Sequence, residues 1–546
     1  MAESFARSLS HPSQLRDDSV PLWGCWERVF EANDQPPPST LLKVRLVSPS
    51  GKERAVSGFW DGGRLWRVRF MPDQEGTWQF ETASVPADTS LHARSGSFEC
   101  VSITTHNRFL RHGPVRVSAN GHHLEHADGT PFFLLADTVW NGPLLSKTAD
   151  WEMFLADRVA KGFTGIQFVT QAPWIAAFTN LEGEVATAGL APLPVNPHFF
   201  RRIDARIDAI NRKGLLAIPV LAWAASWNET ATRYNVGRFL DEAHLISFVR
   251  YQVARYQAHH LVWILPGDGV YLGDEADKWR RVGRAVFDET AHAPVSLHPA
   301  GRSWPYEAFR DQPWLNIHGY QSSHSDSDET LTWIQTGPPA RAWRTGPARP
   351  VINLEPCYED HVSGHTGKRF SAEDVRRACY WSLLNAPTAG LTYGAHGIWG
   401  WQEKPEVPLH HPKSGIAQPW FLAKDLPGSF DMKRLAECFT SIEWWRLRPD
   451  PELTAATART APRDIVLAAR SDAGDLAVVY QPSGGELSVA LERLAAGPET
   501  EWFNPRNGQR SPAPQISPGR FVAPDDQDWV LLIRRGAGQV RELQRR

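Results

Sequence analysis

Two acids of the 546-residue chain each end an apolar run: Asp268 in LVWILPGD (261–268) and Glu355 in PVINLEP (350–356). A carboxylate buried at such a place is costly unless a partner or a task accounts for it. A pair of carboxylates flanking one bond is what glycoside hydrolysis requires. One protonates the leaving oxygen and the other attacks or activates water. The plainer reading is that one of the two is a structural acid paired with an arginine. Asp137, closing FFLLAD (132–137), is a third acid that could bind a sugar hydroxyl or cap the next turn through Thr138. Gln167, Gln171, His298, His318, Tyr320 and His396 also close or follow apolar runs, with hydroxyl binding as their expected role. No HxH or HExxH spacing joins these histidines, so neither a metal nor another cofactor is expected. His410 and His411 lie in a proline-rich loop and read as solvated. Of the 24 tryptophans, Trp140, Trp174, Trp223, Trp227, Trp399 and Trp401 follow four of the apolar runs. An indole face packs on the CH-rich face of a sugar, so as a group they point to a carbohydrate platform, although any one of them is as readily core.

The elements that must hold these residues show in the rhythm of the chain. Short apolar runs at 132–137, 163–170, 215–223, 261–268, 293–299, 314–322, 350–356 and 389–399 read as strands, with amphipathic segments between most of them. In 198–214 Phe200, Ile203, Ile207 and Ile210 share one stripe that Gly214 ends, and TADWEMFLADRVAKG ends likewise at Gly162. Ser371 and Asp374 form a capping box at the start of SAEDVRRACYWSLLNA. Eight strand–helix units over about 320 residues predict an α/β fold, a (β/α)8 TIM barrel, rather than a doubly wound sheet. No glycine-rich phosphate turn follows the first strand. In a barrel the active site lies at the C-terminal ends of the strands, which would set Asp268 and Glu355 on strands four and seven, across the mouth from one another.

Outside that stretch the period is two. Leu42, Val44 and Leu46 alternate with Lys43 and Arg45, and turn signals separate such runs from about residue 19 to 104. The pattern returns after WRLRPDPEL (445–453), which reads as a linker. The predicted organisation is an N-terminal β-sandwich over 1–105, a catalytic barrel over 106–448 and a C-terminal β-sandwich over 449–546.

Composition narrows the function classes. Lys and Arg number 58 against 61 Asp and Glu, a net charge of −3 without basic runs, which speaks against a nucleic-acid partner. No apolar run reaches membrane-spanning length. Five scattered cysteines without a CxxC pair argue against a disulfide framework or a structural zinc. MAESFARSLSHPSQLRDDSVPLW holds no apolar stretch of signal-peptide length, so a cytoplasmic location is expected. The oligomeric state stays open, a homo-oligomer included.

GTPFFLLADTVW, DRVAKGFTGIQF, VWILPGD, PVINLEPCYED and AGLTYGAHGIWGW together resemble the apiosidase-like glycoside hydrolases, the DUF4038 barrel of glycoside hydrolase family 140. EGTWQFET is similar to the DUF5060 domain that precedes such barrels, and VVYQPSGG, EWFNPRNG and DWVLLI resemble the C-terminal module labelled collagen-binding in these proteins. The resemblance implies that Asp268 is the acid/base and Glu355 the nucleophile. Leu354 stands where the family usually has glycine, and Pro266 departs from its Gly-Gly-Asp, changes that bear on specificity more than on the acids. It further implies retention, with the two carboxyls about 5–5.5 Å apart. The expected activity is removal of a terminal sugar, a furanoside such as apiose or another pentofuranose, from a glycoside or oligosaccharide. An endo-acting glycanase and an inactive carbohydrate-binding protein are the alternatives. The C-terminal module is expected to pack against the barrel as a structural domain.

Overall fold

Alternation at positions 41–47 sends Leu42, Val44 and Leu46 into a core and leaves Leu41, Lys43 and Arg45 outside. Strands of this kind build the first of two compact units, Met1–Gly113 together with Arg250–His259. The computed structural model describes residues 19–33, 36–88, 90–171, 179–187, 193–225, 235–288, 291–457 and 461–535. In this unit a five-stranded sheet, in the order Ser19–Pro21, Ser95–Val101, Gly76–Val85, Leu41–Val47 and Glu53–Ser57, packs on a three-stranded one of Trp26–Glu31, Leu65–Phe70 and Phe59–Trp60. Trp26, Trp66, Trp78 and Phe98 fill the space between them, which accounts for several tryptophans that no sugar site requires.

The second unit, Pro114–Val249 with His260–Arg546, holds the barrel. Its parallel strands are β1 (Leu134–Thr138), β2 (Gly165–Val169), β3 (Leu216–Trp223), β4 (Trp263–Gly269), β5 (Val295–Pro299), β6 (His318–Gln321), β7 (Val351–Glu355) and β8 (Gly390–Tyr393). Ladders run from β1 through β2, β3 and β4 to β5, and from β1 through β8 and β7 to β6; a parallel bridge between Ser296 and Ile317 closes the ring. The fold is therefore the predicted (β/α)8 barrel. The largest departures from the expected bounds are at two strands: 314–317 precede β6, and β8 stops at Tyr393, so His396 lies in the loop beyond it. Helices follow every strand except β5, where residues 300–317 form turns. Phe200, Ile203, Ile207 and Ile210 are all fully buried on helix Pro197–Arg212, Gly214 follows it at φ +72°, and the Ser371–Asp374 capping box is formed.

The C-terminal module is a six-stranded sheet with a two-stranded companion. It packs on barrel helix Ala372–Leu384: the Tyr380 and Tyr480 rings stack at 4.6 Å, and Arg376, which also pairs with Asp431 of the barrel at 2.5 Å, reaches Asp528 at 2.7 Å. WRLRPDPEL is not a linker. Arg448–Pro449 already pairs with Leu467–Arg470, and Leu447 and Leu453 are buried, so apolar side chains anchor the stretch. Among the described residues no helix is long and apolar enough to cross a membrane.

Candidate active site

β4 does not end as a regular strand. Its pairing with β5 shifts register on both sides of Gly267, and Asp268 takes a left-handed φ of 53°. Bulges of this kind re-aim a side chain. The flanking glycines permit it: a Cβ on Gly267 would lie 2.4 Å from the Trp223 ring, and one on Gly269 would lie 2.5 Å from the Tyr271 ring. Asp268 thus opens onto a cleft of about 230 Å³ that Glu355 also lines. Trp140, Trp223 and Trp399 form aromatic walls, and Gln321, His324, Tyr358, His361 and His411 also line it.

Glu355 is the last residue of β7 and only 5% exposed. His324 Nε2 lies 2.8 Å from its Oε1, and His298 Nε2 lies 3.2 Å from its Oε2. Burial alone would raise this carboxyl, but the hydrogen bonding and charge of His298 and His324 outweigh it and hold the group well below the usual carboxylate range. The buried Tyr358 hydroxyl accepts the Trp140 indole N–H at 3.1 Å. Burial, and then the charge of Glu355, keep this phenol far above its ordinary value, so it stays protonated beside the carboxylate. Behind the cleft, Trp399 donates to His396 Nδ1 at 3.2 Å while His396 Nε2 faces the Gly415 carbonyl at 3.0 Å. That ring is therefore the neutral Nε2–H tautomer, and burial holds it down to about 4.

The structure brings Asp268, Glu355, Trp140, Trp223 and Trp399 together on the cleft. Gln167, Gln171, His298 and His396 form a layer beneath or behind it. Gln167 donates to the Leu354 carbonyl at 2.9 Å inside the barrel. The Gln171 amide lies within hydrogen-bond reach of the Leu221 carbonyl and the Trp223 N–H, at 3.2 and 2.7 Å. Trp174 and Trp227 lie outside the described residues.

Three expected contacts point elsewhere, and strand geometry is the reason. Successive side chains of a strand face opposite sides. Asp137 faces the helix layer, fully buried, with Arg158 Nε 2.5 Å from its Oδ2. His318 opens β6 at the end away from the mouth, against Tyr306 at 4.2 Å and Arg349 Nη1 at 3.3 Å; burial and then Arg349 push it down to about 3. Tyr320 packs outward among Trp304 and Trp333. Trp401 is core as well, stacked on Trp420 at 4.6 Å.

Comparison with known proteins agrees with this geometry. Residues 118–446 match the family described as "Apiosidase-like, catalytic domain", which is more than half of the chain. The chain belongs to the apiosidase-like family. This apiosidase-like enzyme is a glycoside hydrolase, with residues 19–85 matching DUF5060 and 449–534 matching a family described as the collagen-binding domain of a collagenase. A glycoside hydrolase family 5 structure from Bacteroides vulgatus ATCC 8482 is 21% identical, with a TM-score of 0.67 over 79% of this chain and 95% of that one. A second structure from that bacterium, also described as a glycoside hydrolase, is 18% identical, with a TM-score of 0.69 over 95% of this chain and 99% of the other. No curated protein matches the chain.

Sequence reasoning missed Gln321, His324, Tyr358 and His361, and read His411 as solvated, although it sits edge-on to Trp399 at 4.9 Å. The signal for three of these was present: Gln321 and His324 fall at and just beyond the end of β6, and Tyr358 just beyond β7, where a barrel concentrates its chemistry. Among the described residues of this apiosidase-like enzyme, no three His, Cys, Asp or Glu side chains converge as a metal site.

Proposed function

We propose that this enzyme removes a terminal, uncharged sugar from a glycoside with net retention, Asp268 acting as acid/base and Glu355 as nucleophile. The observation that carries the reading is that both acids line one small cleft in which Glu355 is held ionised by imidazole neighbours. Among the described residues its volume is about 230 Å³, room for a single sugar residue. No lysine or arginine among the described residues lines it, which favours a neutral sugar over a uronate. The family description favours a pentofuranoside such as an apioside.

In the first step Glu355 attacks the anomeric carbon as the bond to the leaving oxygen breaks, and Asp268 gives its proton to that oxygen. In the second, the Asp268 carboxylate takes a proton from water, whose oxygen displaces Glu355 from the glycosyl ester. The protonated Tyr358 hydroxyl stabilises the Glu355 carboxylate between turnovers.

A panel of 4-nitrophenyl furanosides and pyranosides tests the activity, and proton NMR of the first-formed sugar tests the stereochemistry. Retention of the anomeric configuration is expected. Release of the inverted anomer would remove Glu355 from the role of nucleophile, and the absence of hydrolysis across the panel would sink the exo-acting reading.

A further inference from the structure

We infer that His324 is a positioning residue for the nucleophile, its ring locked by the Tyr358 backbone amide in the tautomer that donates to Glu355. The inference builds on the proposed role of Glu355. The two ring nitrogens have different partners. Nδ1 accepts the Tyr358 N–H at 3.3 Å, and Nε2 lies 2.8 Å from Oε1 of Glu355. A nitrogen that accepts a hydrogen bond carries no proton, so the neutral ring must hold its single proton on Nε2, facing the carboxylate. Protonating the ring would set an Nδ1–H against the Tyr358 N–H and break that bond. The ring cannot easily turn away, since it stacks on His361 at 4.6 Å and 25° and packs on Tyr358 at 4.4 Å.

The end of β7 and the short segment after it therefore supply the nucleophile, Glu355, and the amide, Tyr358, that sets the tautomer of its partner. The consequence is a division of labour. His324 donates a hydrogen bond to Glu355 without giving up a proton, so proton transfer to and from the leaving group falls to Asp268. The titratable groups around the ring are Glu355, Tyr358 and His361 in contact, His298 across the carboxylate, and Asp268, His396 and His411 in or behind the cleft.

The direct test is an infrared titration of the Glu355 carboxylate, assigned by subtracting the Glu355→Gln spectrum, in wild type, His324→Ala and His324→Gln. The carboxylate is expected to protonate at least about one pH unit higher in His324→Ala, and to recover at least half of that shift in His324→Gln, whose amide N–H has a similar reach. With a 4-nitrophenyl glycoside that wild type accepts, His324→Ala should lose about 10²-fold in kcat with KM changed less than about threefold, and its acid limb should move up by the same amount as the titration. An unshifted carboxylate in His324→Ala, or a Gln variant no better than Ala, overturns the inference. Because the titration needs no turnover, it reads the tautomer lock even where every glycoside fails and the hydrolytic reading falls.

Discussion

Asp137 and Glu355 are both carboxylates at the ends of barrel strands and both almost fully buried, at 0% and 5% exposure, yet they are held in opposite ways. Asp137 faces the helices and is clamped by Arg158, a cation that cannot lose its charge. Glu355 faces the cleft, and its neighbours are the imidazoles of His298 and His324. Burial is the largest influence at both and pushes both upward. It carries Asp137 to about 6 in spite of Arg158, whereas at Glu355 the histidines prevail and the group falls below the ordinary carboxylate range. A guanidinium cancels a carboxylate and makes it structural. An imidazole beside a carboxylate stabilises the charge and leaves it on the oxygen, where it can attack.

The contrast can be broken most sharply by removing the acids. Glu355→Ala and Asp268→Ala should each lower kcat by about 10²–10⁴-fold or more, whereas Asp137→Asn should leave kcat within about threefold, all measured in the folded enzyme. Comparable losses at all three positions would erase the distinction. Next in size is the structural half: Arg158→Met strands the Asp137 carboxylate and should cost about 3–5 kcal/mol in denaturant unfolding. Adding Asp137→Asn should restore much of that, and strictly additive losses would mean the pair is not coupled.

Gly267→Ala puts a Cβ against the Trp223 ring. It should displace Asp268 and lower kcat by about 10–10²-fold with little change in KM; an unchanged kcat would show that the bulge is not what aims the acid. The smallest effect concerns pH. Because the folded-state pKa of Glu355 is depressed, its ionisation stabilises the fold above its unfolded value of about 4.3, and that contribution fades as pH falls below it. The stability difference between wild type and Glu355→Gln should be flat above about pH 5 and should close in more acidic solution. A difference that instead closes between about pH 5 and 7 would place the pKa on the wrong side.

The barrel was legible because its strands are continuous apolar runs and its helices carry stripes and caps, both local signals: Phe200, Ile203, Ile207 and Ile210 face inward as their spacing requires. Asp268 and Glu355 were legible too, since an acid that closes an apolar run is conspicuous. The strand misreadings share one cause. His318 and Tyr320 were placed at the mouth because β6 was drawn from 314 to 322, whereas it begins at His318. Which side a residue faces changes with every single step along a strand, so a small error in bounds or parity moves a side chain from the cleft to the helix layer.

By itself, the sequence determined the order of modules, the eight strand–helix units and the two acids that end their strands, because apolar periodicity and caps are written locally. Only the tertiary structure decided which neighbours those acids received. His298, His324 and Tyr358 come from β5 and from the loops after β6 and β7, and ring closure brings them to one carboxylate. Long-range proximity of that kind leaves no trace in spacing along the chain. It is this proximity, more than the presence of an acid, that makes Glu355 a candidate nucleophile and Asp137 a structural ion pair.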